Sequence, residues 1–123
     1  MIVIPLAFDS PPLRSNGRES RYPKANKVKQ IRTDAMLIGR GFVQRHGMLS
    51  GPVTVRFVWT VTDARRRDAG ASSPSLKAAL DGLVDAGLLS GDHSQIVTEE
   101  SCRIERGDRP GCRIEIEDDR SAA

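Results

Sequence analysis

Asp68, Lys77 and Asp92 are the residues whose types and spacing suggest chemistry. They lie in one stretch, Arg65 to Val97, where Arg65, Arg66 and Arg67 run straight into Asp68. Carboxylates beside a cluster of guanidinium groups suit phosphate chemistry, with the arginines holding a nucleic-acid backbone and the acids holding a divalent metal. Hydrolysing a phosphodiester needs charge stabilisation at phosphorus, an activated water and help for the departing oxygen, and metals held by carboxylates supply the first two. Asp68 and Asp92 are the candidate metal ligands. Lys77 is the candidate for holding the scissile phosphate or stabilising its developing charge. The plainer reading of Lys77 is an exposed ion pair with Asp81, four residues on, worth about 0.3–0.5 kcal/mol.

One helix has to position these groups. Ser73 reads as its N-cap, Pro74 suits its first turn, and Gly87 is a natural stop. Between them Leu76, Ala79, Leu80 and Leu83 recur at three- and four-residue spacing and make one buried face. The helix therefore carries an acid-bearing loop at each end and Lys77 near its start. Asp81 and Asp85 read as solvated surface acids. His93, beside Asp92 with no second histidine nearby, reads as an ordinary loop residue.

The basic run before Asp68, the segment Lys77-Ala-Ala-Leu-Asp-Gly-Leu-Val-Asp-Ala-Gly87 and Asp92 beyond it resemble the RusA family of Holliday junction resolvases. Pro11-Pro12 followed by Ser15-Asn16-Gly17-Arg18 looks like that family's proline-rich lead into a polar loop, so the resemblance runs from about residue 2 to residue 117. It implies a small α+β domain and a homodimeric endonuclease that depends on Mg2+, or Mn2+ in its place. Such an enzyme resolves four-way DNA junctions by paired nicks in DNA recombination and repair. The implied catalytic residues are Asp68, Asp92 and Lys77, with Asp68 and Asp92 on the metal. The implied DNA-binding set is Arg14, Asn16, Arg18, Lys24, Lys27, Lys29, Arg65, Arg66 and Arg67. The chain departs from the family's Asp-x-Asp-Asn pattern, because Gly70 and Ala71 stand at the second aspartate and the asparagine. Three outcomes follow: Asp63, Glu99 or Glu100 replaces the missing acid, the site runs slowly on one metal, or the protein binds branched DNA without cutting it.

At 123 residues the chain suits one domain, taken as residues 1–117, with a frayed tail at 118–123. Its 28% charged and 38% hydrophobic content fits a globular rather than a disordered chain. No apolar run is long enough for a membrane span, and Met1–Ala7 is too short for a secretory signal, which points to the cytoplasm. The net charge of +3 hides an asymmetry: residues 1–67 hold 13 Lys and Arg against 4 Asp and Glu, whereas residues 68–123 hold 6 against 12. A basic first half suits a polyanionic partner, since phosphate contacts dominate nucleic-acid affinity.

The remaining elements follow from periodicity. Ile2–Ala7 is a first strand, and the polar segment from Asp9 to Tyr22 reads as a mobile loop that can reach a DNA backbone. Pro23–His46 is a long amphipathic helix with Val28, Ile31, Ala35, Ile38 and Phe42 inward, and Gly39 and Gly41 mark close packing or an early end. Val53, Val55, Phe57, Trp59 and Val61 alternate along a strand, which makes Trp59 a core residue rather than a base-stacking one. Gln95–Glu105 and Gly111–Glu117 read as an antiparallel hairpin, with Cys102 facing Cys112 as a reduced, buried pair. Arg103, Glu105, Arg113 and Glu115 would then pair on its exposed face. The order β-α-β-α-β-β gives an α+β domain with two helices on a mostly antiparallel sheet. Leu88 and Leu89 are exposed apolar candidates for a dimer contact.

Overall fold

The computed structural model describes residues 1–15 and 21–118. It is a small α+β domain in which two helices cover one face of a four-stranded mixed sheet. The elements in order are β1 (Ile2–Pro5), α1 (Arg21–His46), β2 (Val53–Val61), a 3-10 turn (Ala69–Ser72), α2 (Ser73–Asp85), β3 (Val97–Arg106) and β4 (Gly111–Asp118). Alternation along β2 sends Val53, Val55, Phe57, Trp59 and Val61 into the core. There they meet Ile4 of β1, Ile114 and Ile116 of β4, and Ile31, Ala35, Leu76, Leu80 and Leu83 of the helices.

The expected hairpin between β3 and β4 does not form. The sheet order is β1-β4-β2-β3, so β2 lies between the two strands. β3 runs parallel to β2, while β4 is antiparallel to both β2 and β1. A helix between β2 and β3 is the usual way to connect parallel neighbours, and α2 occupies that place. Burial explains which strand became central. β4 alternates cleanly, with Cys112, Ile114 and Ile116 buried, whereas β3 carries the exposed run Thr98-Glu99-Glu100 suited to a sheet edge. The connector crosses the end of β2, where the Gly107 N–H donates to the Val61 carbonyl at 2.9 Å.

This order separates the cysteines. Cys102 pairs in register with Phe57 and Cys112 with Trp59, on opposite sides of β2, so they do not face each other; both are free thiols. On the other sheet face, Arg113 reaches across β2 to Glu105 at 2.6 Å and also binds Glu115 at 2.9 Å. Thr60 lies between, donating to Glu105 at 3.1 Å and accepting from Arg113 at 3.3 Å. The expected charge pairing survives in part, across an intervening strand instead of within a hairpin.

The helices pack closely through glycines. A Cβ on Gly82 would overlap the Arg32 carbonyl oxygen and lie 2.9 Å from Ala35 Cβ. One on Gly39 would lie 2.9 Å from Ala86 Cβ, so Gly39 marks close packing and the helix runs on past it to His46. Asp85 is not a lone solvated acid: Arg32 of α1 grips it with two hydrogen bonds, at 2.5 and 2.9 Å. The cap of α2 falls one residue early, at Ser72, because the 3-10 turn delivers the chain already helical, and Ser72 makes no side-chain cap bond. At the other end Gly87, at φ 81°, closes the helix: its N–H donates to the Val84 carbonyl and the Leu88 N–H to that of Leu83. The same turn drives Leu88 and Leu89 inward, each 1% exposed, which removes them as a surface dimer contact.

Residues 9–15 are tied down rather than loose. Ser75 Oγ accepts from the Leu13 N–H at 3.0 Å and donates to the Leu13 carbonyl at 2.7 Å. The Ser15 N–H donates to the Ala71 carbonyl at 3.0 Å, and Leu13 is buried in the core. The arm that holds Arg14 is thereby stitched to the start of α2. No helix among the described residues is long and apolar enough to cross a membrane.

Candidate functional site

The fold brings Lys77 and Asp92 into contact. The loop after α2 turns back along the helix, and the Lys77 ammonium donates to the Asp92 carboxylate across 15 residues of sequence. Lys77 Nζ also lies 3.2 Å from Asp81, so the plain surface pair and the pairing with Asp92 coexist. The hydrogen bond to Asp92 is the main reason the Lys77 pKa rises, and the same bond pulls that of Asp92 down. Both side chains stay largely in water, so this pair fixes geometry more than it adds stability.

Asp68 caps the 3-10 turn in an extended conformation, with its side chain exposed and no cap bond. That turn packs against β3, the strand that follows the Asp92 loop. Among the described residues no group of three His, Cys, Asp or Glu side chains is placed to hold a metal ion. The three substitutes for the missing acid do not complete one. Asp63 is held by Arg67 at 2.7 Å and by the Arg65 N–H at 3.1 Å, and Glu99 and Glu100 lie exposed on β3. At Gly70 an added Cβ would meet nothing within 4 Å, so the position is open to a larger residue. His93 is an exposed loop residue whose Nδ1 accepts from the Gln95 N–H at 3.4 Å.

A second feature lies at the end of β2. A cleft of about 390 Å³ is lined by Arg14, Arg65, Arg66 and Arg67 around Trp59, with Asp9 and Asp63 at its walls. Trp59 is a core residue, 6% exposed, as its place in the strand alternation requires. Its ring nevertheless supports two cations: the Arg14 guanidinium lies 4.9 Å from the ring centroid and that of Arg67 5.2 Å. The pairing of Arg14 with Trp59 depends on the Ser75 anchor and has no sequence signal. The Arg67 hydrogen bond, with a smaller contribution from the Arg65 N–H, holds the Asp63 carboxyl at a pKa of about 2. Beneath, burial pushes the Cys112 thiol up to about 12, reinforced by Asp9 and opposed by Arg14.

The other expected DNA contacts are dispersed. Lys24 and Lys29 are exposed on the first turns of α1, and Lys27 is half-buried there. Asn16 and Arg18 lie outside the described residues, as does the tail from residue 119. The three arginines do not form one uniform basic run. The Arg65 side chain is 82% exposed, whereas that of Arg67 is 18% exposed and occupied by Asp63 and Trp59. No protein-family model matches the chain, and no curated protein matches it.

Proposed function

We propose that the protein is a RusA-type junction-resolving endonuclease, a Mg2+-dependent homodimer that nicks four-way DNA. The observation that carries this reading is the Lys77–Asp92 contact. The lysine and the second acid, both implied by the sequence resemblance, are distant along the chain and adjacent in space. The open position at Gly70, the exposed Asp68 and the arginine cleft beside it support the same reading.

Magnesium is commonly held by one or two carboxylates, with water and substrate phosphate completing its shell, and Asp68 and Asp92 are the acids that would hold it here. Such an ion would stabilise charge at phosphorus and make a bound water acidic. The chain's own groups do the rest. Lys77 holds Asp92 in place and offers its third N–H, beyond those turned to Asp92 and Asp81, to a phosphate oxygen. Asp81 keeps the ammonium charged and close. Arg65 and Arg66, both exposed, bring the DNA backbone to the site. A dimer would apply two such sites to two strands related by the junction's symmetry.

A second reading, a branched-DNA binder that does not cut, is favoured by one observation: among the described residues the acids form no group of three. Cleavage of a labelled four-way junction with Mg2+ or Mn2+ separates the two. The endonuclease reading expects wild-type cutting that Asp68→Asn and Asp92→Asn abolish. If the wild type is inert and only Gly70→Asp cuts, the endonuclease reading is refuted and the binder stands. No cutting by any variant, with junction binding intact, has the same meaning.

A further inference from the structure

The cleft beside Trp59 has the parts of an anion site. Four guanidinium groups face two carboxylates, which leaves the enclosure net positive. Two of the four are fixed in advance. Arg67 is clamped by Asp63 and stacked on Trp59, while Arg14 is stacked on the same ring and tethered through Leu13 to Ser75. Arg67 makes its contacts to Asp63 Oδ1 and to the Arg65 carbonyl through Nη1, one nitrogen of a planar five-donor fork. Asp63, with its pKa lowered by Arg67, stays ionised at neutral pH and keeps that clamp closed. Arg65 and Arg66 project at the mouth with their side chains in water. Fixed guanidinium walls with exposed ones at the rim suit a phosphate group, whose oxygens accept from several donors at once. Both cations on Trp59 lie within cation–π distance of its ring, and the ring itself is buried, so the ligand is recognised by charge and hydrogen bonding and not by base stacking.

We infer that this cleft is a phosphate-binding site that seats one backbone phosphate of a nucleic-acid strand, with Arg14 and Arg67 as fixed walls and Arg65 and Arg66 closing over it. The strand assignment rests on the nucleic-acid reading above; the phosphate assignment stands on the cleft alone. A backbone phosphate seated here enters just ahead of Asp68, since Arg67 is its immediate neighbour. The site thereby sets the register of the strand on the protein, the positioning role that phosphate contacts usually have.

Trp59 is the single tryptophan of the chain, so its emission reports on this cleft without further labelling. The full-length protein is titrated with inorganic phosphate, with thymidine monophosphate and with a single-stranded oligothymidylate, while anisotropy of a labelled oligothymidylate follows strand binding independently. The expected result is a saturable change in Trp59 emission with the oligonucleotide, at concentrations where phosphate and mononucleotide produce little. Arg65→Ala/Arg66→Ala should weaken that signal at least tenfold. It should also flatten the plot of log affinity against log salt by about 0.7, the value of one phosphate contact on a single strand. Arg40→Ala, on the exposed face of α1, should leave both readouts unchanged. If anisotropy shows strand binding while Trp59 emission stays constant, the cleft assignment is overturned and nucleic-acid binding survives. If phosphate or mononucleotide saturates the emission change as tightly as the oligonucleotide, the strand assignment is overturned in favour of a free phosphate ligand. If neither readout responds to any probe, the cleft inference is overturned, while the junction reading stands or falls on its own cleavage test.

Discussion

Adding one methyl group to each of two helix glycines should move stability in opposite directions. At Gly82 of α2 the new Cβ would overlap the Arg32 carbonyl oxygen and crowd Ala35 Cβ at 2.9 Å and Met36 N at 3.0 Å. Two of these three are backbone atoms of α1 and cannot rotate away, so the helices must move apart by about 1 Å to restore normal contacts. Overpacking of this kind costs about 1–3 kcal/mol, and a backbone clash belongs at the top of that range. Alanine recovers about 1 kcal/mol of helix propensity over glycine, which leaves a net loss of about 2 kcal/mol. At Gly41 of α1 the Cβ would meet only the Arg45 guanidinium at 3.8 and 3.9 Å, so the propensity gain of about 1 kcal/mol stands unopposed. A chain of 123 residues has an unfolding entropy of about 0.26 kcal/mol/K, from about 2.1 cal/mol/K per residue. Gly82→Ala should therefore lower Tm by about 8 °C and Gly41→Ala raise it by about 4 °C. Calorimetry and urea unfolding of both variants provide the test. A Gly82→Ala protein with an unchanged or higher Tm would refute the helix packing described here.

Three further predictions concern the arm that holds Arg14, the pH dependence of stability and the two cysteines. Ser75→Ala leaves the Leu13 N–H and carbonyl without partners, so stability should drop by about 1–3 kcal/mol, and limited proteolysis should appear within residues 9–15; an unchanged digest would show that the arm is held elsewhere. The pH dependence has two windows of opposite sign. Asp63 has a folded pKa lowered to about 2, so its contribution is in place above its ordinary 3.8 and lost as pH falls toward 2. Cys112 has a folded pKa raised to about 12, so its contribution is in place below 9.0 and lost as pH rises toward 12. In alkylation followed by mass spectrometry at mildly alkaline pH, Cys102 should label before Cys112, and Cys112 only on unfolding; equal rates would contradict the burial difference.

Much of this protein was written in local pattern. The two helices, the alternating core face of β2, the glycine stop at Gly87 and the turn-rich connector before Gly111 all follow from spacing and residue type, because each reflects interactions a few residues apart. Charge asymmetry and the run of arginines into Asp68 are likewise properties of the linear sequence. Strand order was not local. Whether β4 joins β3 or slides in beside β2 depends on which strand can bury both edges, and that is decided by β1, β2 and the charged run on β3 together. The surroundings of the cysteines, Leu88 and Leu89 are non-local for the same reason: they come from elements far along the chain. The site divides in the same way. Its acids, lysine and arginines were visible as residue types, but the contact of Lys77 with Asp92 needed the loop to fold back along α2. The seating of Arg14 on Trp59 needed a serine hydroxyl 62 residues from Leu13 to hold the arm in place. Short-range sterics and hydrophobic period determine which elements exist; only competition for a shared core determines which side chains meet.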